Sequence, residues 1–323
     1  MKHKGFIRFV SFLLCLLFLW PVSVSAADET ESTAGIRPGD IVYFGRPDKD
    51  ICFDGAWRVL DAEQTNTGET GMFLLSENLI GRDQRHGLYF RNEKKPSTNA
   101  YAGSDAKAWC ASFYETHFSE AEKEAILPTY KSDTAIAVKA SLFSKDEEHQ
   151  QLVRFDAAEQ ILDGDHVFLL SAEEASSAEY GLGTDESRIA RFGKTAANWW
   201  LRSPHDPSFP IDVGLVFYSG WLMDFFENWD NAFLTAPICM RPALNLDVAR
   251  IVSAERISEN EWRLSFAEET ETYPYEYGAR KEIRQPAMAS MLLWIALGIV
   301  LTVNAGIVFL IVGIVKRRRR KAG

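Results

Sequence analysis

The sequence lacks the short motifs that mark common catalytic and nucleotide-binding sites. It contains no GxSxG, HExxH, P-loop or GxGxxG string. We therefore predict no catalytic residue and no resident cofactor, and we expect that the protein is not an enzyme. The six histidines show no spacing typical of metal ligands, so no metal site is predicted from them; they are His3, His86, His117, His149, His166 and His205.

Cysteine is scarce, with four residues in a chain of 323. Cys15 lies within an apolar run near the start, which leaves Cys52, Cys110 and Cys239 for the rest of the chain. These three are odd in number and have no CxxC spacing, which disfavours a disulfide scaffold and a zinc site. Two arrangements stay open, one disulfide with one free thiol or three buried thiols.

Basic charge is scarce in the middle of the chain. All 45 acidic residues lie between residues 27 and 287, whereas nine of the 35 basic residues lie outside that range. Such an acidic surface repels nucleic acid and anionic lipid head groups. We therefore expect no nucleic-acid partner.

Both ends of the chain carry membrane-directed patterns. Residues 1–26 have basic residues, an apolar run and small residues in the order typical of a secretory signal. Residues 288–315 contain no charge and, at ~1.5 Å per residue, exceed the ~30 Å hydrocarbon core. The basic tail at 316–323 then predicts a single transmembrane helix with a cytoplasmic C-terminus and an ectodomain outside the cell membrane.

The predicted span carries small residues at one spacing. Gly298, Thr302 and Gly306 recur every four residues, which places them on one helix face. Small side chains allow close approach of a second helix. A homodimer through this face is therefore possible.

The predicted ectodomain has several parts. Short β-branched and aromatic runs open it, and N-cap signals at Ser104, Ser119 and Ser171 predict helices. The helices are expected over 105–118, from Ser119 to Leu127, and from Ser171 to Gly181, while residues 131–160 are mixed and charged. The predicted parts are a flexible leader at 27–38, a domain at 39–247, a terminal β-hairpin at 248–267 and a stalk at 268–287.

Several strings occur in a fixed order along this domain. They are GDIVYFG at 39–45, WRVL at 57–60, LLS at 74–76, FYETHFSEAEK at 113–123, VFLLSAEEA at 167–175, WWLRSP at 199–204 and RPAL at 241–244. The chain thereby resembles a bacterial extracellular domain of unknown function. That domain is similar to the C-type-lectin-like fold of formylglycine-generating enzymes and of retroelement-diversified variable proteins.

The resemblance implies an α+β, C-type-lectin-like ectodomain with short twisted antiparallel strands and a few helices. It also implies that residues between WWLRSP and RPAL face a ligand. The two strings themselves are interpreted as structural, with tryptophans in the core, arginines as clamps for carbonyls or carboxylates, and prolines bounding the loop. These structural residues are Trp199, Trp200, Arg202, Pro204, Arg241 and Pro242.

The segment between the strings is the candidate ligand-binding site. It mixes aromatic with amide and acidic side chains and shows no clean period, which suits a binding surface because Tyr and Trp give contact area at low entropy cost. The alternative is that half of these residues extend the core. The candidates are Phe217, Tyr218, Trp221, Met223, Asp224, Phe225, Glu227, Asn228, Trp229 and Asp230.

These observations predict a membrane-anchored surface binding module whose ligand is a surface protein or a glycan. Calcium is a possible cofactor through Asp224, Glu227, Asn228 and Asp230, although the usual sugar-binding tripeptides of the fold are absent. One alternative is a redox or copper enzyme of the formylglycine-generating type using Cys110 or Cys239, whose apolar contexts favour buried thiols instead. Another is a structural or signalling partner acting through its span.

Overall fold

The computed structural model describes residues 33–81, 99–140, 151–156, 162–204, 213–224, 238–266 and 273–275. All of them fall within one compact unit.

The described elements are mainly short strands. The helices are α1 (Asp105–His117), α2 (Glu120–Ala125), α3 (Ala172–Ala175) and α4 (Asp185–Arg188), with 3-10 turns at Thr33–Gly35 and Val248–Arg250. The strands are β1 (Ile41–Tyr43), β2 (Ala56–Asp61), β3 (Met72–Ser76), β4 (Ile126–Leu127), β5 (Thr129–Lys131), β6 (Ile136–Ala140), β7 (Gln151–Phe155), β8 (Leu162–Asp165), β9 (Val167–Leu169), β10 (Arg191–Phe192), β11 (Thr195–Ala196), β12 (Trp199–Pro204), β13 (Val213–Val216), β14 (Leu222–Asp224), β15 (Pro242–Leu246), β16 (Ser253–Ser258) and β17 (Glu261–Ser265).

The largest sheet contains eight of the described strands and curls into a half-barrel. Its order is β16-β17-β1-β2-β3-β15-β4, with β9 also paired to β15. Its paired neighbours are antiparallel except β1 and β17, which run parallel. The C-terminal hairpin β16–β17 therefore adds to the sheet beside its first strand.

Strand β15 lies at the centre of this arrangement. All five of its residues are buried. One edge pairs with β3, and the other edge is shared between β9 at Pro242 and β4 at Leu246. A strand that is buried on both faces is mostly apolar. The polar exception in PALNL is Asn245, whose side-chain amide donates to the Asn66 side-chain oxygen at 2.7 Å and to the Thr129 hydroxyl at 2.8 Å.

A smaller antiparallel sheet holds β12, β13 and β14 in that order. It is tied to the main sheet through Cys239, whose carbonyl accepts a hydrogen bond from the Trp200 amide at 3.1 Å. The Arg202 amide makes a second link, to the Leu170 carbonyl at 2.9 Å. The two sheets thus meet along β12.

Aromatic side chains pack between the main sheet and α1. The Phe53 and Phe113 ring centroids are 4.9 Å apart, and those of Trp57 and Phe118 are 6.0 Å apart. Helix α1 buries Cys110 against the same core. Such ring contacts add to the free energy gained by burying apolar area.

The predicted fold class, an α+β, C-type-lectin-like ectodomain with one C-terminal transmembrane helix, is wrong. The described residues are mostly β, with 40% in strands and 18% in helices, built around a curled half-barrel sheet. Within the described ranges, no helix is both long and apolar enough to cross a membrane. The predicted span at 288–315, with Gly298, Thr302 and Gly306, lies outside those ranges.

The predicted helix starts are confirmed, but two helices are shorter than predicted. Ser104 caps α1, and capping boxes occur at Ser119 with Glu122 and at Ser171 with Glu174. Helix α2 ends at Ala125 because the next two residues pair with β15 as β4. Helix α3 ends at Ala175 rather than near Gly181, and this loss of helix contributes to the error in fold class.

Candidate functional site

The turn that joins β13 to β14 presents three aromatic side chains. Tyr218 is 53% exposed, whereas Phe217 and Trp221 are half-buried. The Phe217 ring centroid lies 4.3 Å from that of Tyr218 and 6.3 Å from that of Trp221, to which it is nearly parallel. Phe217 thus contacts both other rings, and we call residues 217–221 the aromatic turn.

The aromatic turn is closed by its own backbone. The Phe217 amide donates to the Trp221 carbonyl and the Gly220 amide donates to the Phe217 carbonyl, each at 2.8 Å. Gly220 has a φ of +88°, a conformation that side-chain-bearing residues rarely adopt. Glycine is therefore required at this position.

A buried arginine, Arg188, donates a hydrogen bond to the backbone of the aromatic turn. Nε of Arg188 donates to the Gly220 carbonyl and its Nη1 donates to the Leu182 carbonyl, each at 2.7 Å. Its Nη2 pairs with the Asp185 carboxylate. Burial lowers the pKa of Arg188, and the Asp185 carboxylate opposes that effect. The guanidinium thus donates hydrogen bonds both to the aromatic turn and to the loop at Leu182.

A second support of the turn is Asn198, directly before the WWLRSP string. Its side-chain oxygen accepts from the Tyr218 amide at 2.8 Å. Its backbone carbonyl accepts from the Cys239 amide at 3.0 Å. One residue therefore joins the aromatic turn, β12 and the segment that leads into β15.

The six residues predicted to be structural occupy interior positions. Trp199 and Trp200 are 0% and 3% exposed. Pro204 ends β12 and Pro242 begins β15. The Arg241 guanidinium lies 5.1 Å above the Trp199 ring, and its Nε donates to the Ser76 carbonyl at 3.0 Å.

Arg202 lies at the centre of a buried ion network. Nη2 and Nε of Arg202 contact the Asp133 carboxylate at 2.6 and 3.0 Å, and Nη1 contacts Glu174 at 2.7 Å. Lys131 adds a second cation, with Nζ 2.8 Å from a Glu174 oxygen. Two cations and two carboxylates balance formally, so no charge in the network is left uncompensated.

Glu174 has a full set of donors in this network. Besides Arg202 and Lys131, the Asn66 side-chain amide donates at 2.7 Å and the Ser171 amide at 2.9 Å. Burial alone would raise the pKa of Glu174, but Arg202 and Lys131 outweigh it and hold that pKa at about 2. The pKa of Asp133 is raised, because burial dominates over its attraction to Arg202.

The sequence indicated some of these residues and missed others. An arginine clamp was predicted at Arg202, but its partner Asp133 and the second cation Lys131 fall in a stretch where no element was assigned. Lys131 ends β5 and Asp133 lies after it, so no strand period pointed to the pair. Arg188 sits in a short polar stretch that carries no pattern pointing to the turn.

The remaining predicted ligand-binding residues have separate positions. Met223 is half-buried in β14, and Asp224 ends that strand. Phe225, Glu227, Asn228, Trp229 and Asp230 lie outside the described residues, so calcium binding through Asp224 and these residues stays a prediction. Among the residues that are described, no group of three His, Cys, Asp or Glu side chains could hold a metal ion.

Comparisons with known proteins give a family. Searches among curated proteins and among solved structures found no match. They offer no support for a relationship to lectins or to formylglycine-generating enzymes. A family model described as a domain of unknown function, DUF6273, matches residues 69–248, from just before β3 to just after β15. The part of the resemblance that named a domain of unknown function is confirmed, and the chain belongs to the DUF6273 family.

Proposed function

We propose that this domain is a binding module located outside the cytoplasm, and that it contacts a protein or glycan ligand through the aromatic turn. The observation that carries the proposal is a 53% exposed tyrosine at the tip of a turn whose backbone is fixed from within the fold. The location is supported by the signal pattern at residues 1–26. Anchoring through residues 288–315 stays a prediction.

The composition of the turn favours binding. Tyrosine and tryptophan combine a large apolar area with a polar tip, and they lose little side-chain entropy when they are immobilised. Phe217, Tyr218 and Trp221 contribute such area side by side. A ligand that covers them would remove apolar surface from water at low entropic cost.

The support of the turn favours affinity. Arg188 and Asn198 hold the backbone on two sides, at 2.7 Å to the Gly220 carbonyl and 2.8 Å to the Tyr218 amide. A loop that is already ordered pays less on binding than one that must be ordered by its ligand. The geometry therefore suits a preorganised contact surface.

The test is a binding screen with the purified full chain on an array of glycans and cell-surface proteins. We expect at least one ligand whose affinity falls about tenfold or more on Tyr218→Ala, in line with a buried aromatic contact in an interface. The matched control is Tyr130→Ala, because Tyr130 is also strongly exposed, at 64%, but lies on β5.

The outcomes separate cleanly. Loss of binding in Tyr218→Ala with binding retained in Tyr130→Ala supports the aromatic turn as the contact surface. Equal affinity of the native chain, Tyr218→Ala and Tyr130→Ala would place the binding surface elsewhere and would contradict the proposal.

A further inference from the structure

Cys52 and Cys239 belong to two segments that meet beside one short stretch of chain. The Gly81 amide donates to the Ile51 carbonyl at 3.0 Å. Ile80 and Met240 exchange two backbone hydrogen bonds, at 2.8 and 2.9 Å. The neighbours of both cysteines are therefore fastened to adjacent residues, Ile80 and Gly81.

The side chain of Cys239 points toward this junction. A Cβ atom built on Gly81 would lie 3.8 Å from the Cys239 sulfur. Burial, and then the neighbouring Cys52, raise the pKa of the Cys239 thiol to about 12. Cys239 is buried, while Cys52 is partly exposed and accessible to a reagent.

The backbone at Cys52 is unusual. Its φ is 60°, and among the described residues it is the one non-glycine residue with a positive φ. This conformation is costly for a residue with a side chain, and glycine would adopt it more readily. A cysteine at such a position favours a role for the sulfur itself.

Cys110 has a different environment and serves as an internal reference. It lies on α1, fully buried, and burial raises its pKa to about 12 while a hydrogen bond with Tyr101 opposes that effect. The groups that shift the pKa of Cys110 are Tyr101, Asp165 and Lys107, whereas Cys52 contributes to the shift at Cys239.

We propose that Cys52 and Cys239 form a disulfide when the protein meets an oxidising compartment, and that Cys110 stays a thiol. The oxidant is a low-molecular-weight disulfide. The Cys52 thiolate attacks one of its sulfurs, forms a mixed disulfide and releases one thiolate. The Cys239 thiolate then attacks the Cys52 sulfur and releases the second, so that two protein thiols are oxidised and two small thiols are produced.

The cross-link would also reinforce the aromatic turn, a consequence that rests on the proposed function. The Cys239 amide donates to the Asn198 carbonyl at 3.0 Å, and the Asn198 side chain accepts from the Tyr218 amide at 2.8 Å. Fixing Cys239 to the loop at Cys52 therefore fixes a support of the turn. The formation of the disulfide does not depend on what the turn binds.

The experiment uses the purified full chain, equilibrated with a series of reduced and oxidised glutathione mixtures. The reaction is quenched with acid, the unfolded protein is alkylated, and peptides are mapped by mass spectrometry. We expect a peptide pair linked through Cys52 and Cys239, with Cys110 alkylated. Cys110→Ser should retain the link, and Cys52→Ser should lose it.

The rate gives a second readout. Because the pKa of each thiol of the pair is raised, the thiolate fraction and hence the rate of cross-linking should rise with pH and should still be rising at about pH 9.

Three alkylated cysteines at every redox poise, or a link that includes Cys110, would overturn the inference. Absence of the link with ligand binding intact would reject the disulfide and leave the proposed function standing. The reverse result would reject the proposed function alone.

Discussion

Arg202 is a guanidinium with no exposed surface, and the fold keeps it charged by placing Asp133 and Glu174 against it. Removing ions from water costs several kcal/mol for each, so such a group is tolerated only when its partners and hydrogen bonds are complete. The network meets this condition through donors from Lys131 and Asn66. The contribution of the network to the free energy of unfolding can therefore be measured with a single substitution.

Glu174→Gln keeps the shape of the side chain but removes its charge. We expect the free energy of unfolding at neutral pH to fall by about 3–5 kcal/mol, because Arg202 and Lys131 lose their shared anion. Urea denaturation measures this loss. The control is Glu173→Gln at the neighbouring, partly exposed position, where we expect less than about 1 kcal/mol.

The same variant carries a pH signature. Because the pKa of Glu174 is about 2 in the folded state, its stabilising contribution is complete above its ordinary pKa of 4.5 and is lost as the pH falls toward 2. The stability difference between the native protein and Glu174→Gln should therefore shrink over that window. A difference that stays constant down to about pH 2 would contradict this assignment.

At the scale of elements, the aromatic turn depends on a glycine that packs directly on α4. A Cβ built on Gly220 would lie 1.7 Å from the Asp185 carbonyl oxygen, at a φ of +88°. Gly68 has a similar φ of +81° but nothing within 4 Å of its position. Both glycines have a positive φ, but only Gly220 has another atom close to the position that a Cβ would occupy.

Gly220→Ala should therefore destabilise the fold more than Gly68→Ala. The left-handed conformation alone costs about 1–2 kcal/mol, and the clash at Gly220 should add about 1–3 kcal/mol as the backbone shifts. Chemical denaturation of both variants gives the comparison. Equal losses would mean that the turn does not rest on α4.

Local signals in the sequence were sufficient for some elements. The capping boxes at Ser119 and Ser171 involve residues three apart, so the helix starts could be predicted from the chain alone. The hairpin of β6 with β7 could not, since it joins residues 136–140 to 151–155 across a charged stretch. The end of α2 was likewise set by a distant partner, β15.

At the scale of the whole molecule, the main sheet joins the two ends of the described domain. Strand β1 runs parallel to β17, and the Trp262 indole donates to Asp40 at 3.1 Å. The family match at 69–248 leaves out β1, β2 and the C-terminal hairpin, although all of them belong to this sheet.

The error in fold class arises from pairing between distant parts of the chain. Several pairings in the main sheet join strands far apart in sequence, as β1 pairs with β17 at Ile41 and Glu261, and no local pattern specifies such pairs. The strings WWLRSP and RPAL correctly indicated apolar, arginine-bearing segments, but not the half-barrel sheet that the described chain forms. Arg188 and its contact with Gly220 likewise depend on folding of the whole domain.

The central claim is that the aromatic turn is an exposed surface on a rigid support, and stability measurements test it without knowledge of the ligand. Trp200, 3% exposed, and Tyr218, 53% exposed, are changed to alanine in turn, and the free energy of unfolding is measured by urea denaturation. We predict a loss of about 3–5 kcal/mol for Trp200→Ala and less than about 1 kcal/mol for Tyr218→Ala. Equal losses at both positions would show that Tyr218 belongs to the core, and would contradict the account.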